Sequence, residues 1–179
     1  MFVQRCARRD PTTLVIGVDA NADAMRDVAR RCAAKPARGG LANALLGVLA
    51  LEQAPGVLAG VADALTVLLP WGSLLRAVAL PEPAALARLH ALCKPGARLR
   101  VVFGYGAADP AAVQGLPDLN AAAHMGALVG RYREAGFAAT ARSMTREEVG
   151  ELPTTWARKL AFSGHDRRFI ELWGDARGS

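Results

Sequence analysis

The chain has 179 residues, with 22 Lys and Arg against 16 Asp and Glu, a net charge of +6 and 52% apolar residues. A chain of this size and composition buries a full core and forms one domain, 1–179, so wholesale disorder is excluded. Its longest apolar runs, Ala44–Leu51 and Ala64–Pro70, are of strand length, far short of the ~20 residues that a membrane-spanning helix requires. No membrane partner is expected, and the opening Met1-Phe2-Val3-Gln4-Arg5 lacks the charged and apolar regions of a secretory signal, which points to the cytoplasm. Cys6, Cys32 and Cys93 are odd in number and lack C-x-x-C spacing, so the sequence predicts reduced thiols, no disulfide framework and no metal.

The charge is uneven. Residues 1–40 carry eight basic against four acidic side chains, and residues 131–179 carry nine against seven, while the middle is balanced. Of the 22 basic residues 19 are arginine, whose planar fork grips phosphate in a bidentate way that lysine does not. A nucleic-acid partner fits this excess. An Ala- and Arg-rich composition explains it equally well.

Along the chain, Thr13–Asp19 is a continuous apolar run closed by an acid, the pattern of a strand buried on both faces of a parallel sheet. Asn21 caps a following helix in which Met25, Val28, Ala29 and Cys32 share one face; Lys35-Pro36 and Gly39-Gly40 end it. Strands are predicted at Leu45–Leu49 and Leu65–Leu69, the latter running into Pro70-Trp71-Gly72. A short helix from Ser73, a helix over Pro83–Leu92, a turn at Lys94-Pro95-Gly96 and a strand over Arg98–Phe103 follow. After a Gly/Pro/Asp-rich loop over Gly104–Asp118, Met125, Leu128, Val129 and Tyr132 repeat at helical spacing until Gly136. Phe137–Met144 reads as a strand, Thr145–Glu151 as a short helix opened by the capping box Thr145-x-x-Glu148, and Phe169–Trp173 as a last strand. Strands alternating with helices, then two late strands, predict an open α/β sheet with an antiparallel hairpin at one edge.

Three blocks carry a more specific signal: Ala34-Lys35-Pro36-Ala37-Arg38-Gly39-Gly40-Leu41, Leu69-Pro70-Trp71-Gly72-Ser73-Leu74-Leu75-Arg76 and Thr154-Thr155-Trp156-Ala157-Arg158-Lys159-Leu160. In this order and spacing the chain resembles the 16S ribosomal RNA adenine-N1 methyltransferases of the kanamycin–apramycin resistance, Kam/Npm, type. The resemblance covers nearly the whole chain and implies a class I, Rossmann-like, S-adenosylmethionine-dependent methyltransferase sheet. It implies a target adenosine in the decoding site of the 30S subunit and, as the consequence of methylation, aminoglycoside resistance. A monomer is expected.

By resemblance, Trp71 and Trp156 hold the flipped adenine, and stacking on an aromatic face recovers roughly 1–3 kcal/mol per base. A tryptophan is more often core. Trp71, however, follows a proline at a strand's carboxyl end, where α/β sites lie, and Trp156 is flanked by Thr, Arg and Lys rather than by apolar residues. Trp173, in an apolar strand, is assigned to the core. The resemblance further implies that the Pro70 carbonyl accepts from the exocyclic amine, that Thr154 or Thr155 steadies the loop or the base edge, and that Asp19, Ala20, Glu52 and Leu69 hold the cofactor. Either threonine also suits a helix cap. Lys35, Arg38, Arg158, Lys159, Arg167 and Arg168 match positions that grip rRNA phosphates. Adenine N1 already carries a lone pair, so attack on the sulfonium methyl needs no general base. His90, His124 and His165, on separate elements, argue against a hydrolase triad.

The family pattern opens with a strand and an Asp-x-Gly-x-Gly-x-Gly turn that this sequence lacks; Met1–Arg9 matches the helix after that turn. The missing strand would lie centrally, between the strands ending at Asp19 and Pro70, so these two are expected to lack a shared partner. A start placed too far downstream is one explanation and a true fragment the other. Gly104 and Gly106 follow a later strand and do not replace the loop. Besides the enzyme reading stands a shortened, catalytically inactive relative that only binds rRNA; a transfer-RNA methyltransferase of related architecture fits the two tryptophans less well.

Overall fold

The computed structural model describes residues 2–106, 109 and 115–178, the side chains of Ala24, Ala122 and Thr155 apart. Helix α1 (Phe2–Arg9) precedes strand β1 (Val15–Asp19), helix α2 (Ala22–Cys32) and strand β2 (Ala44–Val48). β1 and β2 pair in parallel from Val15↔Ala44 to Asp19↔Val48, as the intervening helix permits. One face of this pair is packed: Val3 and Ala7 of α1 and Val28 and Cys32 of α2 cluster with Ala44, flanked by Val15 and Leu46. The other face carries Ile16, Val18 and Leu45, which are exposed. Alternation along a strand accounts for the split, because the helices cover one side of the pleat only.

Asn43 ties this unit together. Its Nδ2 donates to the carbonyls of Ala7, Asp10 and Thr13 at 2.9, 3.1 and 3.0 Å, joining the end of α1 and the entry to β1 to the start of β2. In the turn between them the Asp10 carboxyl is drawn down to about 2, chiefly by the hydroxyls of Thr12 and Thr13.

The second sheet has the order β3-β4-β6-β5. β3 (Ala62–Leu68) pairs in parallel with β4 (Cys93–Tyr105), and β6 (Arg168–Asp175) runs antiparallel to both β4 and β5 (Thr140–Met144). Helices α3 (Gly72–Ala79), α4 (Pro83–Leu92) and α5 (Ala122–Glu134) supply Leu75, Val78, Leu86, Leu128 and Tyr132, which are fully buried with Leu99, Val101 and Phe103 of β4 and Ile170 and Leu172 of β6. On the opposite face Val102, Phe169 and Met144 pack with Leu69, with Val149 of α6 (Arg146–Gly150) and with Ala157, Leu160 and Ala161 of α7 (Thr155–Ala161). The capping box of α6 forms as predicted, Thr145 accepting from the Glu148 amide and Glu148 from the Thr145 amide.

The chain thus divides into two compact units, Met1–Gln53 with Pro153–Thr155, and Ala54–Leu152 with Trp156–Ser179. Among the described residues β1 pairs with β2 and β3 with β4, and no strand joins the two sheets. The remaining differences are local. Lys94-Pro95-Gly96 makes no turn between elements: β4 starts at Cys93, and the two-residue step of β3 from Ala62 to Ala64 faces the five-residue step from Cys93 to Arg98, an irregularity within which Gly96 takes φ +79°. Trp173 is not core. It is 40% exposed, on the β6 face that also carries Glu171, between Arg100 and Thr140 of the neighbouring strands. Gly104 and Gly106 have a packing role: a Cβ on Gly104 would meet the Phe169 ring at 2.2 Å, and one on Gly106 the Asp166 carbonyl oxygen at 1.8 Å. The loop predicted over Gly104–Asp118 falls largely outside the described residues. Among these, no helix is long and apolar enough to cross a membrane.

Candidate active site

The backbone is strained just beyond the carboxyl end of β3. Leu69 has φ +48°, the one non-glycine residue there with a positive φ, and it precedes proline, which disfavours helical backbone further. Its side chain is buried at 5% exposure and its amide donates to Val102 O at 2.7 Å. Packing and this bond hold a conformation that costs on the order of 1–3 kcal/mol. Pro70 is buried, Trp71 is extended (φ −130°, ψ 168°) and Gly72 takes φ +60° to open α3. The result is a sharp reversal that turns Trp71 outward at 45% exposure.

Trp156, in the first turn of α7, is also 45% exposed. Ala157 of that helix and Leu69 belong to one buried cluster, so the strained turn and α7 meet, and the two indoles lie with centroids 6.4 Å apart at 89°. The structure therefore brings together the pair singled out in the sequence, but edge to face. A base between two indoles needs parallel rings about 7 Å apart, twice the ~3.5 Å contact of stacked carbons. One indole must turn to admit it.

The basic residues separate into two kinds. Arg158 and Lys159 on α7 and Arg168 at the start of β6 are exposed. Arg167 is buried, and this corrects its expected place on the phosphate-facing surface. Its Nε donates to Asp109 Oδ2 at 2.7 Å and its Nη2 to Oδ1 at 2.6 Å, while Nη1 donates to Ser163 Oγ. The Gly106 amide donates to the same carboxylate at 3.1 Å. The guanidinium hydrogen bonds hold the Asp109 carboxyl below the usual carboxylate range against the opposing effect of burial. Spent on this pair, Arg167 ties the segment after α7 to the segment after β4. Sequence reasoning missed Asp109, which lies 58 positions from its partner in a loop with no periodicity.

In the other unit, Asp19 closes β1 and Glu52 lies beyond the carboxyl end of β2, both exposed, at the end of the strands where α/β proteins take ligands. Asp19 Oδ1 accepts from the Asn21 amide at 2.8 Å, and Oδ2 has no partner among the described residues, which suits an acceptor for ribose hydroxyls. Ala20 follows in the same exposed bend. Lys35 and Arg38 are exposed on a one-turn 3-10 helix, Pro36–Arg38. Thr154 is half-buried, and the side chain of Thr155 lies outside the described residues.

Parallel strands with crossover helices, one closed by an acid in the first unit and one running into a strained Leu-Pro-Trp turn in the second, are the elements of a Rossmann-like α/β protein. The family model described as NpmA, a 16S rRNA (adenine(1408)-N(1))-methyltransferase, matches residues 1–173, and the chain belongs to this family. It is 39% identical over 166 residues to the 16S rRNA (adenine(1408)-N(1))-methyltransferase of Streptoalloteichus tenebrarius, covering 91% of this chain and 76% of that one. With the Escherichia coli enzyme of the same name it shares 29% over 177 residues, 96% and 80% of the two chains. Among solved structures, the 16S rRNA methyltransferase KamB superposes with a TM-score of 0.85 at 36% identity, over 99% of this chain and 83% of that one. A variant of the Catenulisporales acidiphilia enzyme, solved with its cosubstrate SAM, gives 0.85 at 34% identity, over 99% and 81%.

Proposed function

We propose that the protein transfers a methyl group from S-adenosylmethionine to N1 of an adenosine in the decoding A-site of 16S rRNA, with the 30S subunit as substrate and aminoglycoside resistance as the consequence. The observation that carries this reading is the meeting of two half-exposed tryptophans at the strained carboxyl end of β3. A flipped base needs an aromatic face, and two are present within reach of each other.

S-adenosylmethionine supplies an electrophilic sulfonium methyl group. Asp19 would hold its ribose, with Ala20, Glu52 and Leu69 beside the rest of the cofactor. Trp71 and Trp156 take the adenine by stacking and fix its ring plane. The Pro70 carbonyl accepts from the exocyclic amine and so sets which edge of the base points inward. Adenine N1 would offer its own lone pair to the methyl group, whose bond to sulfur breaks as the bond to N1 forms and whose positive charge passes to the base, so these residues act by position and not by proton transfer. Thr154 or Thr155 steadies the loop or the base edge. Lys35, Arg38, Arg158, Lys159 and Arg168 neutralise backbone phosphates, which position the enzyme without selecting the base. Arg167 serves the same surface indirectly, through Asp109. The setting for this activity is the cytoplasm, where 30S subunits assemble and work.

The reading is tested by tritiated methyl transfer to purified 30S subunits. Trp71→Ala and Trp156→Ala should each lower kcat by about 5- to 150-fold while 30S affinity changes less than threefold, the loss of one stacking contact being worth roughly 1–3 kcal/mol. Salt-sensitive 30S binding without any methyl transfer by the wild-type protein would instead mark a binding-only relative.

A further inference from the structure

The turn that carries Lys35 and Arg38 is built rather than loose. The amides of Arg38 and Gly40 both donate to the Lys35 carbonyl, at 2.8 and 3.2 Å, the Gly39 amide donates to Pro36 O at 2.9 Å, and Leu41 reaches back to Cys32 O at 2.9 Å. Gly39 takes φ +82°, and a Cβ on Gly40 would lie 1.6 Å from the Ala34 carbonyl oxygen. Lys35 and Arg38 are thus presented on a fixed frame. A third cation joins them from another element: Arg8, in the last turn of α1, places its Nη2 3.9 Å from the position a Gly39 Cβ would take.

Arg8, Lys35 and Arg38 are all exposed, and none of their side-chain cations has an acidic or hydrogen-bonding partner among the described residues. The carboxylate closest to Arg8 in sequence, Asp10, is spent on Thr12 and Thr13. Arg8 also sits favourably at the negative end of the α1 dipole. That accounts for a cation at the end of α1; it does not account for one laid against a rigid turn that already presents two more. Three uncompensated like charges repel, and a polyanion relieves the repulsion.

We infer that Arg8 is a phosphate-binding residue and closes, with Lys35 and Arg38, a basic recess for the rRNA backbone. This rests on the proposed function and extends its RNA contact to α1, which no sequence motif marked. The guanidinium fork offers paired donors to the two non-bridging oxygens of one phosphate, while Lys35 and Arg38 take its neighbours.

The test is binding to purified 30S subunits over a series of salt concentrations, for wild type, Arg8→Ala, Arg8→Gln and the double variant Lys35→Ala/Arg38→Ala, with Arg26→Ala as control because Arg26 is already paired with Asp23. Each phosphate contact contributes a slope of about −0.9 in log affinity against log salt. Both Arg8 variants should therefore flatten the slope by about one, with wild-type melting curves, and their deficit in affinity should shrink about threefold between 50 and 200 mM salt. Wild-type slopes for both Arg8 variants, with the Lys35/Arg38 variant flattened, would overturn the inference and leave the proposed rRNA contact standing. Unchanged slopes for all three would overturn both.

Discussion

Replacing Asp109 by Ala isolates the buried ion pair from the chemistry. The guanidinium of Arg167 is 8% exposed and gives two of its bonds to Asp109, at 2.6 and 2.7 Å. Truncation of one partner strands a buried charge, a loss of about 3–5 kcal/mol. For a chain of this length each kcal/mol is worth roughly 2–4 °C in Tm, so a fall of about 6–20 °C is expected in thermal melting followed by near-UV circular dichroism. Asp109→Leu combined with Arg167→Met, which removes both charges and refills the space, should recover most of it. The pH dependence has a fixed sign. The Asp109 carboxyl is depressed in the folded state by the Arg167 hydrogen bonds, so its stabilisation is complete above the ordinary carboxylate pKa, near ~4, and is lost as pH falls through the depressed value. The gap between wild type and Asp109→Ala should therefore close in acid. A gap of under about 2 °C at pH 7, or one that widens in acid, would refute the pairing.

Asn43→Ala removes the amide that bridges three carbonyls; two of these bonds are exposed and regain water, so a loss of about 1–2 kcal/mol is expected from chemical denaturation of the first unit. Ile16→Lys, on the uncovered face of β1, should leave stability within about 0.5 kcal/mol and lower light scattering of concentrated protein, since a charge on an exposed apolar strand discourages association. A large drop in Tm would show instead that this face is covered. Glu171 accepts from Arg100 and from Arg142 at 2.7 Å each while only 12% exposed. Glu171→Gln should cost roughly 1–3 kcal/mol in urea unfolding, because two guanidinium groups lose their common anion.

Much of this was legible in the residues because it is local. The apolar run closed by Asp19, the capping box at Thr145 and the proline that opens α4 each fix an element within a few positions. The Pro70-Trp71 and Thr155-Trp156 blocks singled out two tryptophans that the structure brings within 6.4 Å of each other, since an aromatic beside a breaker or a charge is poor core material. What remained hidden is long-range. Nothing near Arg167 tells that it pairs with Asp109 rather than with phosphate, and the Leu69 strain arises from a buried side chain and a bond to Val102, neither visible from a run of leucines before proline. Trp173 misled because its apolar strand neighbours lie on the other side of the pleat, as alternation dictates, while its own face continues into Glu171 and the two arginines.

The central claim is that Trp71 and Trp156 present one adenine to a methyl donor through N1. A methyl group at N1 blocks the pairing edge of the base, so primer extension across the decoding site of treated 30S subunits reads both the position and the extent of reaction. The account predicts a single new stop at an adenosine with wild-type protein and S-adenosylmethionine, strongly weakened at equal reaction time with Trp71→Ala and with Trp156→Ala although both variants still bind the subunit. An undiminished stop with either variant would contradict it.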